Sequence, residues 1–326
     1  MEHKLDLSDP GTVPLAYVTR SGFVEGLHHG SAVVVDAAGQ SLISRGRPEA
    51  PILPRSALKP LQLLAMLRSG LELPGTLLAL ASASHSGEPF HLDGVEAILS
   101  GVGLSPADLG NTPDLPLDPT QRLRWHRAGS PATAQAQNCS GKHAAMLATC
   151  VINGWPTAGY LSPEHPLQQV ISDTIGQIAG EPVAARAVDG CGAPALAISL
   201  TGLARAFGRL ASADPDTLEG RIADAVRGYP QWLGGTGREV TALILAVPGL
   251  IAKDGAEAVY AAALPDGRAV ALKIADGSDR ARQVVMVDLL RRLDPGQSAP
   301  GALLGAAGRS VLGHGQPVGE VLAVPF

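Results

Sequence analysis

Strand-like segments lie near the two ends of this sequence, and most of the helical segments lie between them. Two pairs of short aliphatic runs are each joined by a turn, residues 32–35 with 41–44 and residues 259–264 with 269–274. The regular alternation of strands and helices that builds a parallel sheet is missing. The sequence therefore predicts an α+β fold, in which an antiparallel sheet flanked by helices joins the first and last strands and carries a helical insert.

The 326 residues are predicted to form one unit over 1–326. A helical subdomain at about 56–250 is expected between N-terminal strands (15–50) and C-terminal strands (255–326). Residues 110–137 have little apolar periodicity and are interpreted as a long excursion. A short strand is expected at 183–188, and the predicted helices are 56–69, 91–99, 138–153, 166–179, 194–210 and 278–293.

Composition excludes several classes of function. Charged residues make up 17% of the chain, the net charge is -5 and no dense Lys/Arg run occurs, which argues against a nucleic-acid partner. No apolar run reaches the ~18 residues that span a bilayer, and the first residues lack the apolar core of a signal peptide. We therefore expect a cytoplasmic protein with no membrane partner. A small-molecule substrate is the favoured ligand.

Ser56 and Lys59 are the first candidates for chemistry. Residues three apart on a helix share a face, so the two side chains would stand side by side at the start of an apolar helix. A lysine whose pKa is lowered by burial can take the proton of a serine hydroxyl and make it a nucleophile. The same spacing also fits an N-cap serine followed by a surface lysine, and the pattern alone leaves both interpretations open.

Small polar residues follow a second apolar stretch, in the segment Ser-Ala-Ser-His-Ser-Gly-Glu that contains Ser84. Loops at the ends of core elements often carry functional groups, although capping hydroxyls would give the same pattern. Lys273 stands between apolar neighbours in the last predicted hairpin. Alternation directs it either to solvent or into a site. The adjacent His28 and His29 fit a metal site or a solvated loop.

The cysteines are three, so they cannot all pair as disulfides. Cys139 and Lys142 share one face of a predicted helix, and Cys191 lies in a glycine-flanked turn that could approach them. Two thiolates suit zinc, and a neutral lysine amine is a rare third ligand. Spacing alone also fits buried core cysteines. Cys150 is interpreted as a core residue, and His143 either as a neighbour of the ligands or as a residue with no role there.

Six segments occur in an order that resembles a known family. They are Arg-Ser-x-x-Lys-Pro at 55–60, Ser-His-Ser-Gly-Glu at 84–88, Asn-Cys-Ser-Gly-Lys-His at 138–143, Asp-Gly-Cys-Gly at 189–192, Lys-x-Gly-Ala-Glu at 253–257 and Leu-Lys-Ile-x-Asp-Gly at 272–277. Together they are similar to the asparaginase II family, the rhizobial-type L-asparaginases. The resemblance covers about residues 15–325.

The resemblance implies a fold like that of serine β-lactamases and penicillin-binding proteins, and an amidohydrolase that converts L-asparagine to L-aspartate and ammonia. It implies two Ser-Lys pairs, Ser56 with Lys59 and Ser84 with Lys273. It also implies a zinc ion, which is structural or orients the substrate, and a homodimer. The zinc ligands matched are Cys139, Lys142 and Cys191, and the substrate-binding positions matched are Arg55 and Asp189.

The expected reaction is hydrolysis through a serine acyl-enzyme, with Ser56 as the preferred nucleophile. Asp189 is expected to bind the substrate α-ammonium, and an arginine or the zinc site its α-carboxylate. Three alternatives remain open. A serine glutaminase would use the same Ser-x-x-Lys motif. A penicillin-binding or D-alanyl peptidase role is disfavoured, because no Lys-Thr-Gly segment follows. A zinc-stabilised binding module without catalysis is the third.

Overall fold

A computed structural model describes residues 11–293 and 309–325. Its strands are β1 Val13–Arg20, β2 Phe23–Val35, β3 Ser41–Arg45, β4 Pro51–Ile52, β5 Ala185–Val188, β6 Pro194–Ser199, β7 Ile251–Gly255, β8 Val259–Ala263, β9 Ala269–Ile274, β10 Arg309–Gly313 and β11 Gln316–Ala323. The main sheet has the order β10-β11-β1-β2-β9-β8-β7, with β3 also paired to β2. Each of these pairings is antiparallel.

The first and last described strands meet, since β1 pairs with β11 and Ala16 lies opposite Ala323. Both predicted hairpins are formed, β2 with β3 and β8 with β9. The predicted α+β class with an antiparallel sheet is therefore confirmed. A smaller antiparallel sheet, β4-β6-β5, lies off the main one.

Most helices lie between β4 and β7 in chain order, as the sequence predicts. They are α1 Lys59–Arg68, α2 Gly75–Ala81, α3 Pro89–Ser100, α4 Pro119–Arg127, α5 Ser140–Ile152, α6 Pro166–Ala179, α7 Leu200–Ala211, α8 Leu218–Gly228, α9 Pro230–Leu233 and α10 Glu239–Ala246, and α11 Asp279–Leu293 follows β9. Helices α7 and α11 both contact the centre of the main sheet at β8 and β9. Every residue of β8 is buried, so both faces of the sheet are covered there.

Several segments differ from the sequence predictions. The helix predicted at 194–210 begins only at Leu200, because Pro194–Ser199 forms strand β6, paired with β5 and β4. All six residues of β6 are buried, so the apolar run fits a two-sided buried strand as well as a helix. The excursion at 110–137 contains helix α4, whose N-cap Asp118 accepts a bond from Gln121 N. Strand β7 was not predicted.

The turn before α1 is strained. Residues Arg55–Leu58 form a 3-10 turn that leads into α1 at Lys59, with Pro60 in the first helical turn, where a proline costs nothing. Arg55 has φ +54°, a left-handed conformation that costs a non-glycine residue about 1 to 2 kcal/mol. Such strain is kept where surrounding contacts hold it, often beside a functional group. Here it places Ser56 next to β7 of the main sheet.

Within residues 11–293 and 309–325, no helix combines the length and apolar character needed to cross a membrane.

Candidate active site

Ser84 lies between two buried lysines. Its Oγ is 3.1 Å from Lys59 Nζ and 3.1 Å from Lys253 Nζ. Ser84 follows the end of α2, Lys59 begins α1, and Lys253 is the central residue of β7. Both lysines and the serine are buried. Three separate elements thus bring one hydroxyl and two amines together away from bulk water.

Lys253 has the properties of a base. Burial lowers its pKa to about 8, with the charges of Lys59 and Arg238 acting in the same direction, although the neighbouring Asp254 carboxylate raises it. Its Nζ lies 2.7 Å from the Asp254 carbonyl oxygen and 2.5 Å from Asp254 Oδ1. A neutral amine has two hydrogens and one lone pair. With both hydrogens donated to Asp254, the lone pair is left for the hydrogen of Ser84.

Lys59 uses its three donors differently. Its Nζ donates to the Ala83 carbonyl at 2.5 Å, to Ser84 Oγ and to Cys139 Sγ at 3.1 Å. Three acceptors match the three hydrogens of an ammonium group. Lys59 is therefore suited to stay positively charged beside Ser84, where it would stabilise a developing alkoxide.

Ser56 lies in the strained turn Arg55–Leu58 and lines the same cavity as Ser84. Among the described residues its hydroxyl makes no hydrogen bond to Lys59, because the Lys59 ammonium is directed to Ser84. The 3-10 geometry before Lys59 differs from the continuous α-helix that the spacing argument assumed. The two serines are thus brought to one cavity, and of the two it is Ser84 that is hydrogen-bonded to Lys59 among the described residues.

Lys273 does not reach Ser84. It lies on β9, opposite Ser31 and Val259, and its Nζ donates to the Glu257 carbonyl at 2.9 Å. The structure therefore does not bring Lys273 to Ser84, as the pairing predicted from the sequence would need, and Lys253 on β7 contacts Ser84 instead. Two strands of the same sheet each carry a lysine, and the 3-10 turn Arg55–Leu58 packs against β7, the strand that carries Lys253. The sequence signal for this residue was its position: Lys253 directly follows the apolar run Leu250, Ile251 and Ala252.

The residues predicted to bind zinc also converge. Cys139 caps the N-terminus of α5, Lys142 lies in its first turn, and Lys142 Nζ is 3.4 Å from Cys191 Sγ. A hydrogen bond from Cys191, together with the nearby Lys59 and Lys142 charges, lowers the pKa of Cys139 despite its burial. In tetrahedral zinc sites a sulfur and a nitrogen ligand are separated by about 3.5 Å. The three groups therefore fit a zinc ion.

Two further observations bear on that fit. Among the described residues, no group of three or more His, Cys, Asp or Glu side chains could hold a metal ion. A site here would consequently need the Lys142 amine, which a metal would have to deprotonate. His143 is fully buried, its Nδ1 lies 2.8 Å from Tyr160 Oη, and its Nε2 has no hydrogen-bond partner within the part of the chain that the structure describes. Cys150 lies apart in the hydrophobic core.

Arg55 and Asp189, the predicted substrate-binding residues, bind each other. Arg55 Nε and Nη2 donate to Asp189 Oδ1 at 2.8 and 2.6 Å. Burial opposes the charge on Asp189, but the Arg55 bond and the Lys142 charge hold its pKa below the usual value. The pair holds the strained Arg55 backbone against the turn that carries Cys191. It leaves Asp189 less free to bind a substrate than the sequence suggested.

A cavity of about 230 Å³ opens in front of Ser84. This volume is below the roughly 300 to 1,000 Å³ of pockets for drug-sized ligands, so it suits a molecule of amino-acid size. Its lining carries both signs of charge: Ser56, Ser84, Leu117, Asn138, Arg238, Asp254, Gly255, Ala256, Glu257, Gly277, Asp279 and Arg282. Sequence reasoning missed Arg238 and Asp254, because nothing local distinguishes them from surface charges.

Comparison with known families gives a match over residues 16–323 to L-asparaginase II. The chain belongs to the L-asparaginase II family. The family resemblance of the six segments is thereby confirmed over nearly the whole chain. Membership in this family makes the protein a hydrolase of the amidohydrolase class that acts on a small molecule. A comparison with curated proteins finds no match.

Among solved structures, this L-asparaginase II family chain is similar to a beta-lactamase from Mycobacterium bovis. The two sequences are 14% identical, the TM-score is 0.44, and the similar region covers 81% of this chain and 94% of that one. A putative beta-lactamase from Bacteroides dorei gives 13% identity, a TM-score of 0.42, and coverage of 79% and 92%. A structure of Mglu in its native form gives 12% identity, a TM-score of 0.45, and coverage of 82% and 60%.

Proposed function

We propose that the protein hydrolyses the side-chain amide of L-asparagine to L-aspartate and ammonia through an acyl-enzyme on Ser84. The observation that supports this most is the position of Ser84 Oγ, 3.1 Å from each of two buried lysine amines. Family membership supports the amide as the bond that is broken. Ser56 is the second candidate nucleophile, because it lines the same cavity.

In the first half of the reaction, Lys253 accepts the Ser84 proton as Oγ attacks the amide carbon. The positive charge of Lys59 stabilises the oxygen that loses its proton. Lys253 then returns the proton to the departing nitrogen, the C–N bond breaks, and ammonia leaves an ester on Ser84. In the second half a water molecule gives one proton to Lys253 and attacks the ester carbon. Lys253 returns that proton to Ser84 Oγ as the ester C–O bond breaks, and the acid that is released loses its remaining proton to solvent to become the carboxylate.

Zinc is part of this proposal. Cys139, Lys142 and Cys191 would hold the ion, and it would supply charge and rigidity beside the pocket. Lys59 links the nucleophile to the proposed zinc ligands, since it donates to both Ser84 Oγ and Cys139 Sγ. The protein's own residues carry the proton transfers, and the thiol cluster fixes where the Lys59 ammonium stands.

The test of the function is ammonia release from L-asparagine, measured beside L-glutamine at equal concentrations. We expect turnover of asparagine with a kcat/KM at least about tenfold above that of glutamine, because one added methylene changes the fit by about 1 to 3 kcal/mol. Higher turnover of glutamine would replace asparaginase by glutaminase. If neither amide is hydrolysed, with zinc present or absent, the proposed function is wrong.

Metal removal tests the zinc proposal independently of turnover. We expect the purified protein to hold about one zinc per chain, and a chelator to lower Tm by about 5 °C or more, because a ligand that binds only the folded state stabilises it. Cys139→Ser should lower the zinc content measured by mass spectrometry. Cys150→Ala, a buried cysteine outside the cluster, should leave it unchanged. Equal zinc content in the two variants would contradict this assignment.

A further inference from the structure

Arg238 stands in the cavity wall beside Ser84, and its position is fixed by the loop that carries it. Ser84 N donates to the Leu233 carbonyl at 3.1 Å, and Ser86 Oγ donates to the Gly234 carbonyl at 3.1 Å. Thr236 binds Glu88 through its backbone N at 2.8 Å and its hydroxyl at 2.7 Å. Four hydrogen bonds therefore join the loop of Ser84 to the loop of Arg238.

The guanidinium of Arg238 is only partly used by the protein. Its Nη2 donates to Asp254 Oδ2 at 2.7 Å, and its Nη1 lies 3.5 Å from the Ser84 carbonyl. A guanidinium has five N–H donors, so most of them are free of hydrogen bonds to the described residues. The side chain is 20% exposed, and it lines the cavity. It presents donors to whatever occupies the space before Ser84.

The charge at this wall is positive. Asp254 is the one carboxylate that Arg238 and Lys253 share, and Lys59 adds a further charge behind Ser84. Although burial opposes ionisation of Asp254, the charges of Lys253 and Arg238 hold its pKa well below the usual value. An anionic group of a ligand would balance the excess of cations here, and a guanidinium fork matches a carboxylate.

An acidic group lies elsewhere in the same lining. Glu257 is exposed in the turn between β7 and β8 and has φ +55°, again a strained conformation for a non-glycine residue. A Cβ at Gly277 would lie 2.6 Å from Glu257 Oε2, so this carboxylate rests against the glycine backbone of the cavity. Asp279 also lines the cavity, but Arg282 Nη1 already binds it at 2.9 Å.

We propose that Arg238 binds the α-carboxylate and Glu257 the α-ammonium of the amino-acid substrate. The assignment rests on the proposed function, and it explains how the same cavity would select a zwitterionic amino acid as the substrate. Asp189, which the sequence suggested for the ammonium, is instead held by Arg55. Opposite charges at two places in a small cavity would orient the side-chain amide toward Ser84 and reject amides that lack either charge.

Substrates that lack one group give the test. Succinamic acid is asparagine without the amine, and 3-aminopropanamide is asparagine without the carboxylate. For Arg238→Gln we expect kcat/KM to fall about 100-fold with asparagine and succinamic acid, and less than threefold with 3-aminopropanamide. For Glu257→Gln we expect a loss with asparagine and 3-aminopropanamide only. Arg205→Gln, a matched arginine that binds the Gly39 carbonyl outside the cavity, should show no such selectivity.

Similar losses on all three amides would overturn the assignment, because they would mean that Arg238 only supports Asp254 or the fold. Arg238→Lys, which keeps the charge, guards against a variant that does not fold, and it should lose about tenfold on the carboxylate-bearing amides only. Calorimetry with L-aspartate separates the assignment from the proposed function. Aspartate binding that depends on Arg238 would support the assignment even without turnover, and no aspartate binding by the unmodified protein would overturn it.

Discussion

Replacing Ser84 with alanine is expected to lower kcat for L-asparagine by about 10⁴-fold or more, because the variant cannot form the acyl-enzyme. Binding should survive, so KM should change little. Ammonia release under saturating asparagine is the measurement. The structure supports the large effect through the two lysines that flank Ser84 Oγ at 3.1 Å.

Ser56→Ala separates the two candidate nucleophiles. Since its hydroxyl makes no hydrogen bond to Lys59 among the described residues, we expect a loss of about 10- to 100-fold, consistent with a role in binding. When the reaction is quenched and the digested protein is analysed by mass spectrometry, the acyl group should be found on the peptide that contains Ser84. An acyl group on the peptide of Ser56 would reverse the assignment. Ser172→Ala, a buried serine on α6 that binds Arg186, is the control.

The second large effect is expected at Lys253. Lys253→Met should lower kcat by about 10³-fold, because loss of a general base typically costs 10²- to 10⁴-fold. Lys273→Met is the matched comparison, since both lysines lie on strands of the main sheet and only Lys253 contacts Ser84. We expect Lys273→Met to lose less than about tenfold. A larger loss at Lys273 than at Lys253 would restore the pairing that the sequence suggested.

The pH dependence follows from the same group. Lys253 acts as a base only when neutral, and burial lowers its pKa to about 8. The neutral fraction therefore grows as pH rises toward 8, and kcat/KM should increase about tenfold per pH unit below that value and level off above it. In Lys253→Met the residual activity should lose this rise. A profile that is flat between pH 6 and 9 would exclude Lys253 as the base.

Much of the fold could be predicted because its signals are local. Strands β8 and β9 flank a short turn with Pro, Asp and Gly, and the helix predicted at 166–179 coincides with α6, which ends at the left-handed Gly180. Strand β6 was missed because its six buried residues, five of them apolar, carry no period that separates a strand from a helix. Pairing with β5 and β4 decided it.

The sequence by itself determined the chemistry available and the α+β class. It supplied one serine before an apolar helix and another after an apolar helix, lysines among apolar residues, and the six segments that resemble the L-asparaginase II family, to which the chain belongs. Only the tertiary structure decided which lysine meets which serine. Contacts between Ser84 and Lys253 join residues 169 positions apart, and neither side chain carries a local signal of the other. Which amine becomes a base depends on burial and on nearby charges, and those exist only after the strands and helices have packed.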